Sequence, residues 1–258
     1  VVHYLATHKT NFLDVATRFA DFICETFGPN KKQGTPGHPE IELALMKLYW
    51  LKGEKRYLET AKFFIRQGIS YSVDMISGEK RYLEAAKFLI GQRGIRFAGG
   101  DEYRQDHRPF TEQEEIVGHA VRAMYLMSGA ADVYRKTKDK PLMDTLERLW
   151  ENMVSAKMYV TGGIGSRYEG EAFGKNYELP NARAYAETCA AIGNIFWNHR
   201  MLHLTGNAKY TDVMEKVLYN GFLSGISLDG KKYFYQNPLQ SDGTHRRVSW
   251  FPCACCPP

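Results

Sequence analysis

The chain closes with a cysteine-rich motif, C-A-C-C, which holds Cys253, Cys255 and Cys256. Another cysteine, Cys189, lies two residues after Glu187 in the motif Y-A-E-T-C-A. Thiolates suit zinc, a borderline-soft ion that prefers tetrahedral coordination, and a carboxylate is an accepted ligand beside them. The two segments therefore predict one metal site, in which zinc is bound by Glu187, Cys189, Cys255 and Cys256.

Two other interpretations of these cysteines stay open on the residues alone. Cys189 could form a disulfide with one of the C-terminal cysteines, or the thiols could be buried as small hydrophobic side chains. The C-A-C-C motif lacks the C-x-x-C spacing of common zinc motifs. Residue types and spacing thus leave a metal site, a disulfide and buried free thiols as alternatives.

A carboxylate that substrate could reach lies in the Gly-rich segment between Tyr159 and Pro180. Glu171, in the motif G-E-A-F, is flanked by small residues that leave its carboxyl group accessible. A solvated surface glutamate is the simpler interpretation of such a residue. Glu169 and Glu178 are neighbouring carboxylates that compete for any role as an acid.

Two histidines, His38 in G-H-P-E and His119 in G-H-A-V-R, each follow a glycine at the predicted start of a helix. A side chain at such a position can point from the helix end into a central cavity and donate hydrogen bonds to a bound ligand. A helix cap or a structural hydrogen bond is the alternative role for each of them.

The elements that must position these groups are predicted to be mostly α-helices, because apolar residues recur at helical spacing along most of the chain. A recurring sequence pattern, in which polar residues are followed by an amphipathic helix, begins at Gly53, Lys138 and Gly206. The last two copies begin 206 − 138 = 68 residues apart. This period predicts stacked helical hairpins or a closed α/α toroid.

Six hairpins of this period need roughly 400 residues, so we expect the 258 residues to form only part of such a toroid. We expect one partial α/α toroid domain over residues 1–258. Residues 53–67 return as residues 78–92 with only three differences, a similarity that is unusual between natural repeats. The Gly-rich T-G-G-I-G-S at Thr161 to Ser166 lacks the features of a phosphate-binding loop and is interpreted as a tight loop that lines the cleft.

Composition excludes several classes of protein. Hydrophobic residues make up 44% and charged residues 24% of the chain, as in ordinary soluble globular proteins. The net charge of +5 is spread along predicted helices, which argues against nucleic acid as a partner. No apolar run approaches the roughly 18 residues that span a bilayer, so no membrane partner is predicted. We expect a cytoplasmic location, and the start at Val1 is compatible with a signal peptide that has been removed.

Several motifs in order carry a family resemblance. They are G-H-P-E-I-E-L-A-L-M-K-L-Y, V-G-H-A-V-R-A-M-Y-L, Y-V-T-G-G-I-G-S, G-E-A-F, L-P-N, Y-A-E-T-C-A and W-F-P-C-A-C-C-P. With these, the chain from Gly37 onward resembles the bacterial β-L-arabinofuranosidases of glycoside hydrolase family 127. The resemblance implies an (α/α)6 toroid-type catalytic domain, with further N-terminal helices and C-terminal β-domains of the family absent from this sequence.

The resemblance also implies roles for individual residues. It assigns Cys255 as nucleophile and Glu171 as acid/base, with His38 and His119 in the sugar pocket. Glu187, Cys189 and Cys256 would complete the zinc shell around Cys255. The expected function is a retaining exo-glycosidase that releases L-arabinofuranose from small or oligosaccharide β-L-arabinofuranosides, as a monomer or a homo-oligomer.

Two functions of other classes compete with this one. A sugar epimerase or isomerase would use His38 and His119 as acid and base and would need no zinc. A carbohydrate-binding or scaffold module would carry the Cys and Glu residues as a closed structural zinc site.

Overall fold

The computed structural model describes residues 2–27, 30–32, 44–45, 48–49, 51–66, 87, 90 and 101–252. The chain divides into two compact units, Val1–Ala86 and Lys87–Pro258. Helices are the main regular elements of both, which confirms the mostly α prediction and agrees with a toroid-type domain. The prediction of a single partial domain over the whole chain stays a prediction. None of the described helices is both long and apolar enough to cross a bilayer.

The first unit contains helices α1 (Val2–Thr7), α2 (Asn11–Thr26) and α3 (Lys55–Arg66). The buried Tyr57 of α3 donates a hydrogen bond from its hydroxyl to Oδ1 of Asp21 on α2, at 2.6 Å. This bond ties the two helices together above a shared apolar core. The buried members of that core are Leu13, Ala20, Ile23, Cys24, Leu45, Leu48 and Tyr57.

The second unit contains helices α4 (Ala120–Thr137), α5 (Lys140–Asn152), α6 (Thr188–Thr205) and α7 (Ala208–Lys216). Helices α4 and α6 approach closely, because a Cβ at Gly193 would lie only 2.7 Å from Cβ of Met124. Between α5 and α6, Trp150 Nε1 donates to Oδ1 of the fully buried Asn198 at 2.7 Å. Short 3₁₀ or π turns span Glu102–Arg104, Phe110–Glu112, Met153–Lys157, Glu169–Glu171, Val217–Phe222 and Leu223–Gly225.

The recurring sequence pattern forms the tight turns between consecutive helices. The residue at its start has a left-handed φ of 72°, 57° and 68° at Gly53, Lys138 and Gly206. Its N–H donates to the carbonyl four residues back, on Tyr49, Tyr134 and Leu202. This geometry ends one helix and favours glycine. The next helix begins two residues later each time, at Lys55, Lys140 and Ala208.

The segment K-K-Y-F-Y-Q-N-P-L, from Lys231 to Leu239, is rich in aromatic residues and precedes the cysteine-rich motif. In the structure it is extended, but Tyr233 makes only isolated antiparallel bridges, to Ile226 and Val248. A longer ladder does not form here because the following residues bind elsewhere. The carbonyl of Tyr235 accepts from the Thr188 N–H, at the start of α6.

Candidate active site

Three side chains that could act on a substrate or bind a metal ion converge in the second unit. One ligand atom from each of His119, Glu171 and Glu187 lies within 4.8 Å of the other two. His119 Nε2 is 3.0 Å from Glu171 Oε2. Glu187 and His119 are buried, with 2% and 8% of their surface exposed, whereas Glu171 is half-buried.

His119 is placed by the turn that leads into α4. The residue before it, Gly118, has a φ of +75°, and a Cβ there would lie 1.7 Å from the Glu102 carbonyl oxygen. Only glycine therefore fits at this position. The His119 N–H donates to the carbonyl of Tyr103 at 3.2 Å, and the His119 backbone forms a bridge with Ala172. The imidazole is thus fixed beside the loop that carries Glu171.

Glu171 lies at the end of the 3₁₀ turn Glu169–Glu171. Its φ of 50° follows a φ of 69° at Gly170, so the chain reverses sharply here. Backbone hydrogen bonds in both directions between Arg167 and Ala172, at 3.0 and 3.2 Å, close the loop. A left-handed φ at a glutamate is uncommon and marks a position that its surroundings hold in place.

Glu187 caps the N-terminal end of α6 with an extended backbone. Helix α6 begins at Thr188 and not earlier, because the preceding residues pair with two loops instead. The Ala186 N–H donates to the Gly165 carbonyl in T-G-G-I-G-S at 2.7 Å. On the other side, Asn237 Nδ2 donates to the Ala186 carbonyl at 2.9 Å. These contacts hold Glu187 in an extended conformation beside His119 and Glu171. Glu187 therefore does not lie on the same helical turn as Cys189.

A network of tyrosines supports the cluster. The buried Tyr185 donates a hydrogen bond to Glu171 and accepts one from Tyr235. Burial, this bond to Glu171 and the charge of Glu187 raise the pKa of the Tyr185 phenol, so it stays a neutral donor at physiological pH. The Tyr235 ring lies 5.3 Å from the ring of Phe251, two residues before Cys253.

The two competing carboxylates of this region are occupied by arginines. Glu178 accepts two hydrogen bonds from Arg167, each at 2.6 Å. These bonds, with one from the Lys175 N–H, lower the pKa of Glu178 to about 2. Glu169 is exposed and pairs with Arg183 at 3.2 Å. A group that is ionised at neutral pH, or that points into solvent, is a poor proton donor to substrate.

The structure brings some of the residues named from the sequence together, and others lie outside its described residues. Glu171, Glu187 and His119 come together, and Cys189 is buried as the second residue of α6. Cys255, Cys256, Cys253 and His38 lie outside the described residues. The cluster of possible metal ligands found among the described residues does not include Cys189. The assignment of zinc to Glu187, Cys189, Cys255 and Cys256 stays a prediction.

Sequence reasoning missed Tyr185 and Tyr235. Tyr185 precedes Glu187 by two residues in the Y-A-E-T-C-A motif, and alternate residues of an extended segment share a face. That spacing was the available signal for Tyr185. Tyr235 becomes recognisable only when α6 and the later extended segment are seen side by side.

Comparison with known proteins identifies the chain's relatives. The chain matches the family model described as β-L-arabinofuranosidase, GH127 catalytic domain, over residues 1–74 and 68–258. The two matched ranges overlap between the two near-identical copies, 53–67 and 78–92. A non-reducing end β-L-arabinofuranosidase of Bifidobacterium longum subsp. longum is 41% identical over 273 aligned positions. The match covers 100% of this chain and 40% of that protein.

Solved structures give the same result. A GH127 β-arabinofuranosidase shares 49% identity with a TM-score of 0.66, over 99% of this chain and 36% of the other. A GH127 β-L-arabinofuranosidase from Geobacillus stearothermophilus T6 shares 42% identity with a TM-score of 0.62, over 99% of this chain and 41% of the other. The chain therefore spans about two fifths of the length of these relatives.

Proposed function

The chain belongs to the GH127 β-L-arabinofuranosidase catalytic-domain family, and from this premise we propose that it is part of a retaining exo-glycosidase. The proposed reaction releases L-arabinofuranose from the non-reducing end of β-L-arabinofuranosides. Glu171 is the acid/base of this reaction and Cys255 is its nucleophile.

The observation that carries the proposal is the position of Glu171. Of the three carboxylates in its loop region, only Glu171 is within a few ångströms of both His119 and Glu187. Glu169 and Glu178 are paired with Arg183 and Arg167. Glycosidases need a carboxyl group that gives and takes a proton beside the scissile bond. Glu171 is half-buried, hydrogen-bonded and reachable.

The partners of Glu171 allow it to act in both protonation states. As a carboxylate it accepts hydrogen bonds from Tyr185 and from a protonated Nε2 of His119. As a carboxylic acid it can donate to an unprotonated Nε2 over the same 3.0 Å. Tyr185 acts as a positioning residue, because it holds the carboxyl group without titrating itself. His119 is also suited to donate to a sugar hydroxyl when substrate enters.

The residues of the Glu187 segment suit a zinc ion. Glu187 and Cys189 are both buried, and buried anionic groups are stable when a cation compensates them. Cys255 lies four residues after Phe251, a length of chain that spans at most about 14 Å. The Phe251 ring packs on Tyr235 beside the cluster, so Cys255 and Cys256 are within reach of completing the set. Bound zinc would hold the cysteine sulfurs as thiolates at neutral pH.

The proposed reaction has two steps. In the first, Cys255 Sγ attacks the anomeric carbon, the bond to the leaving oxygen breaks, and Glu171 protonates that oxygen. In the second, Glu171 takes a proton from water, which attacks the same carbon and releases the Cys255 thiolate. Each step inverts the anomeric centre, so the overall configuration is retained. His38 is proposed, with His119, to bind the sugar.

Variants of the two neighbouring glutamates test the assignment. Glu171→Gln should lower turnover of β-L-arabinofuranosides by roughly 10²–10⁴-fold. Glu169→Gln, two residues earlier in the same turn but exposed, is the matched control and should retain wild-type turnover. Equal losses in both variants would contradict the role of Glu171.

Metal content tests the ligand assignment separately. Glu187→Gln and Cys189→Ser should lower the zinc content of the purified protein, whereas Glu171→Gln should leave it unchanged. If Glu171→Gln and a His119→Gln variant lose the metal instead, the ion is bound by the cluster His119, Glu171 and Glu187, and the thiolate assignment is wrong.

A further inference from the structure

A second cluster of possible ligands lies on the exposed surface of α6, away from the candidate active site. His199 and His203 are one helical turn apart and both are exposed. Their Nε2 atoms share a hydrogen bond of 3.1 Å, which an ion bound between them would replace, and the ring centroids are 4.4 Å apart with the ring planes at 75°. His199 is twelve residues after Glu187, or about 18 Å along a helix axis.

The separation of the two nitrogens matches the spacing required to bind one metal ion. Nitrogens at about 2.0–2.1 Å from a common ion lie about 3.3 Å apart at a tetrahedral angle and about 2.9 Å apart at a right angle. The observed 3.1 Å lies between these values. Histidines at i and i+4 share one helix face, which is also how helical zinc motifs present two imidazoles.

We propose that His199 and His203 form a bidentate surface site for a divalent transition metal such as Zn²⁺, Ni²⁺ or Cu²⁺. Imidazole nitrogen is a preferred ligand of these three ions. Solvent supplies the remaining ligands. The site is separate from the zinc ligands proposed at the start of α6, and it does not depend on the proposed glycosidase activity.

The surroundings of His199 keep it available as a ligand. Metal ions bind the unprotonated imidazole. The charged neighbours of His199 are Arg200, the next residue on α6, and Asp132 on α4. Arg200 and Asp132 are paired with one another, Nε to Oδ2, at 2.9 Å. Their charges offset each other, so this ion pair does not repel an incoming cation.

Nickel binding by the full chain tests the site, after the resident metal has been counted. Calorimetric titration with Ni²⁺ alone should show one additional ion bound. His199→Gln and His203→Gln should each weaken this event by roughly 100-fold, because the second imidazole binds intramolecularly and multiplies the affinity. His245→Gln is the control, since this histidine is stacked on Phe234 at 4.4 Å, apart from the pair. It should bind Ni²⁺ like the wild type.

An independent measurement uses trace Cu²⁺, which broadens the NMR signals of the rings that bind it. The proposal predicts simultaneous broadening of His199 and His203, with His245 unaffected. Equal broadening of all surface histidines would overturn the proposal, as would unchanged Ni²⁺ affinity in both single variants. Both histidines are exposed, so a thermal melt should confirm that the variants are folded.

Discussion

Glu171 is held at the candidate active site by two side chains that differ in how they titrate. Tyr185 is a permanent donor in the physiological range because burial and nearby carboxylates raise the pKa of its phenol. His119 can donate or accept through Nε2, 3.0 Å from the Glu171 carboxylate. This combination fixes the carboxyl group in space while leaving its protonation free to change, as the proposed reaction requires.

The proposed role of Glu171 as a proton donor predicts that the effect of its loss depends on the leaving group. Glu171→Gln preserves the shape of the side chain but has no proton to donate to the departing oxygen. Aryl β-L-arabinofuranosides, whose leaving groups need little protonation, should lose less rate in the first step than alkyl or sugar arabinosides. Pre-steady-state kinetics of both substrate types measures this difference. A similar, small loss on both would show that Glu171 does not act as the acid.

Besides the backbone hydrogen bonds that close the Glu171 loop, two side-chain hydrogen bonds join Arg167, at its start, to Glu178. This contact lowers the pKa of Glu178 from 4.5 to about 2. A carboxylate whose pKa is depressed by folding stabilises the native state above its unfolded pKa. That contribution is therefore complete above about pH 4.5 and is lost as the pH falls toward 2. Because the pair is partly exposed, it is worth about 1 kcal/mol or less.

Glu178→Gln should accordingly lower the free energy of unfolding at pH 6 and have a diminishing effect below pH 4.5. Denaturant titrations of the variant and the wild type at several pH values measure the difference. Glu169→Gln is the control, because Glu169 makes a single exposed contact, with Arg183. If the free energies of unfolding of Glu178→Gln and the wild type differ by the same amount at pH 6 and pH 2.5, the stabilising role of the Arg167–Glu178 pair is contradicted.

The left-handed residues at the turns between helices allow a prediction about backbone strain. Gly206 ends α6 with a φ of 68°, and nothing lies within 4 Å of a Cβ built on it. Gly206→Ala should therefore destabilise the protein by about 1 kcal/mol through backbone strain alone. Lys138 occupies the matching position after α4, with a φ of 57°, so Lys138→Gly should have the opposite sign. Thermal or chemical denaturation measures both, and equal signs would contradict this account.

At the scale of the whole molecule, the sequence predicted what local patterns determine. The sequence pattern at Gly53, Lys138 and Gly206 indicates turns between helices, because helix ends depend on residues that are close in sequence. The extended stretch before Thr188, where α6 begins, is not evident from local sequence. Long-range hydrogen bonds to Gly165 and Asn237 keep that stretch extended, and no local pattern reveals them.

The residues of the candidate site could be named only from the family motifs, because the contacts between them join parts of the chain that are far apart in sequence. His119 and Glu171 are 52 residues apart in sequence, and their contact follows from how the Gly118 turn packs against the Glu171 loop. The sequence could identify both residues as candidates. It could not show that Glu178 and Glu169 form ion pairs with Arg167 and Arg183. Nor could it place Tyr185 and Tyr235 in the hydrogen-bond network around Glu171.

The central claim is that sulfur, and not a carboxylate, attacks the anomeric carbon. A β-L-arabinofuranose derivative that carries an electrophile at the anomeric position should label the nucleophile covalently, and peptide mass spectrometry then locates the adduct. We predict a single adduct on Cys255, absent from Cys255→Ser and retained in a Cys253→Ser control. An adduct on Glu171, with Cys255 unmodified, would reverse the assigned roles and contradict the proposed mechanism.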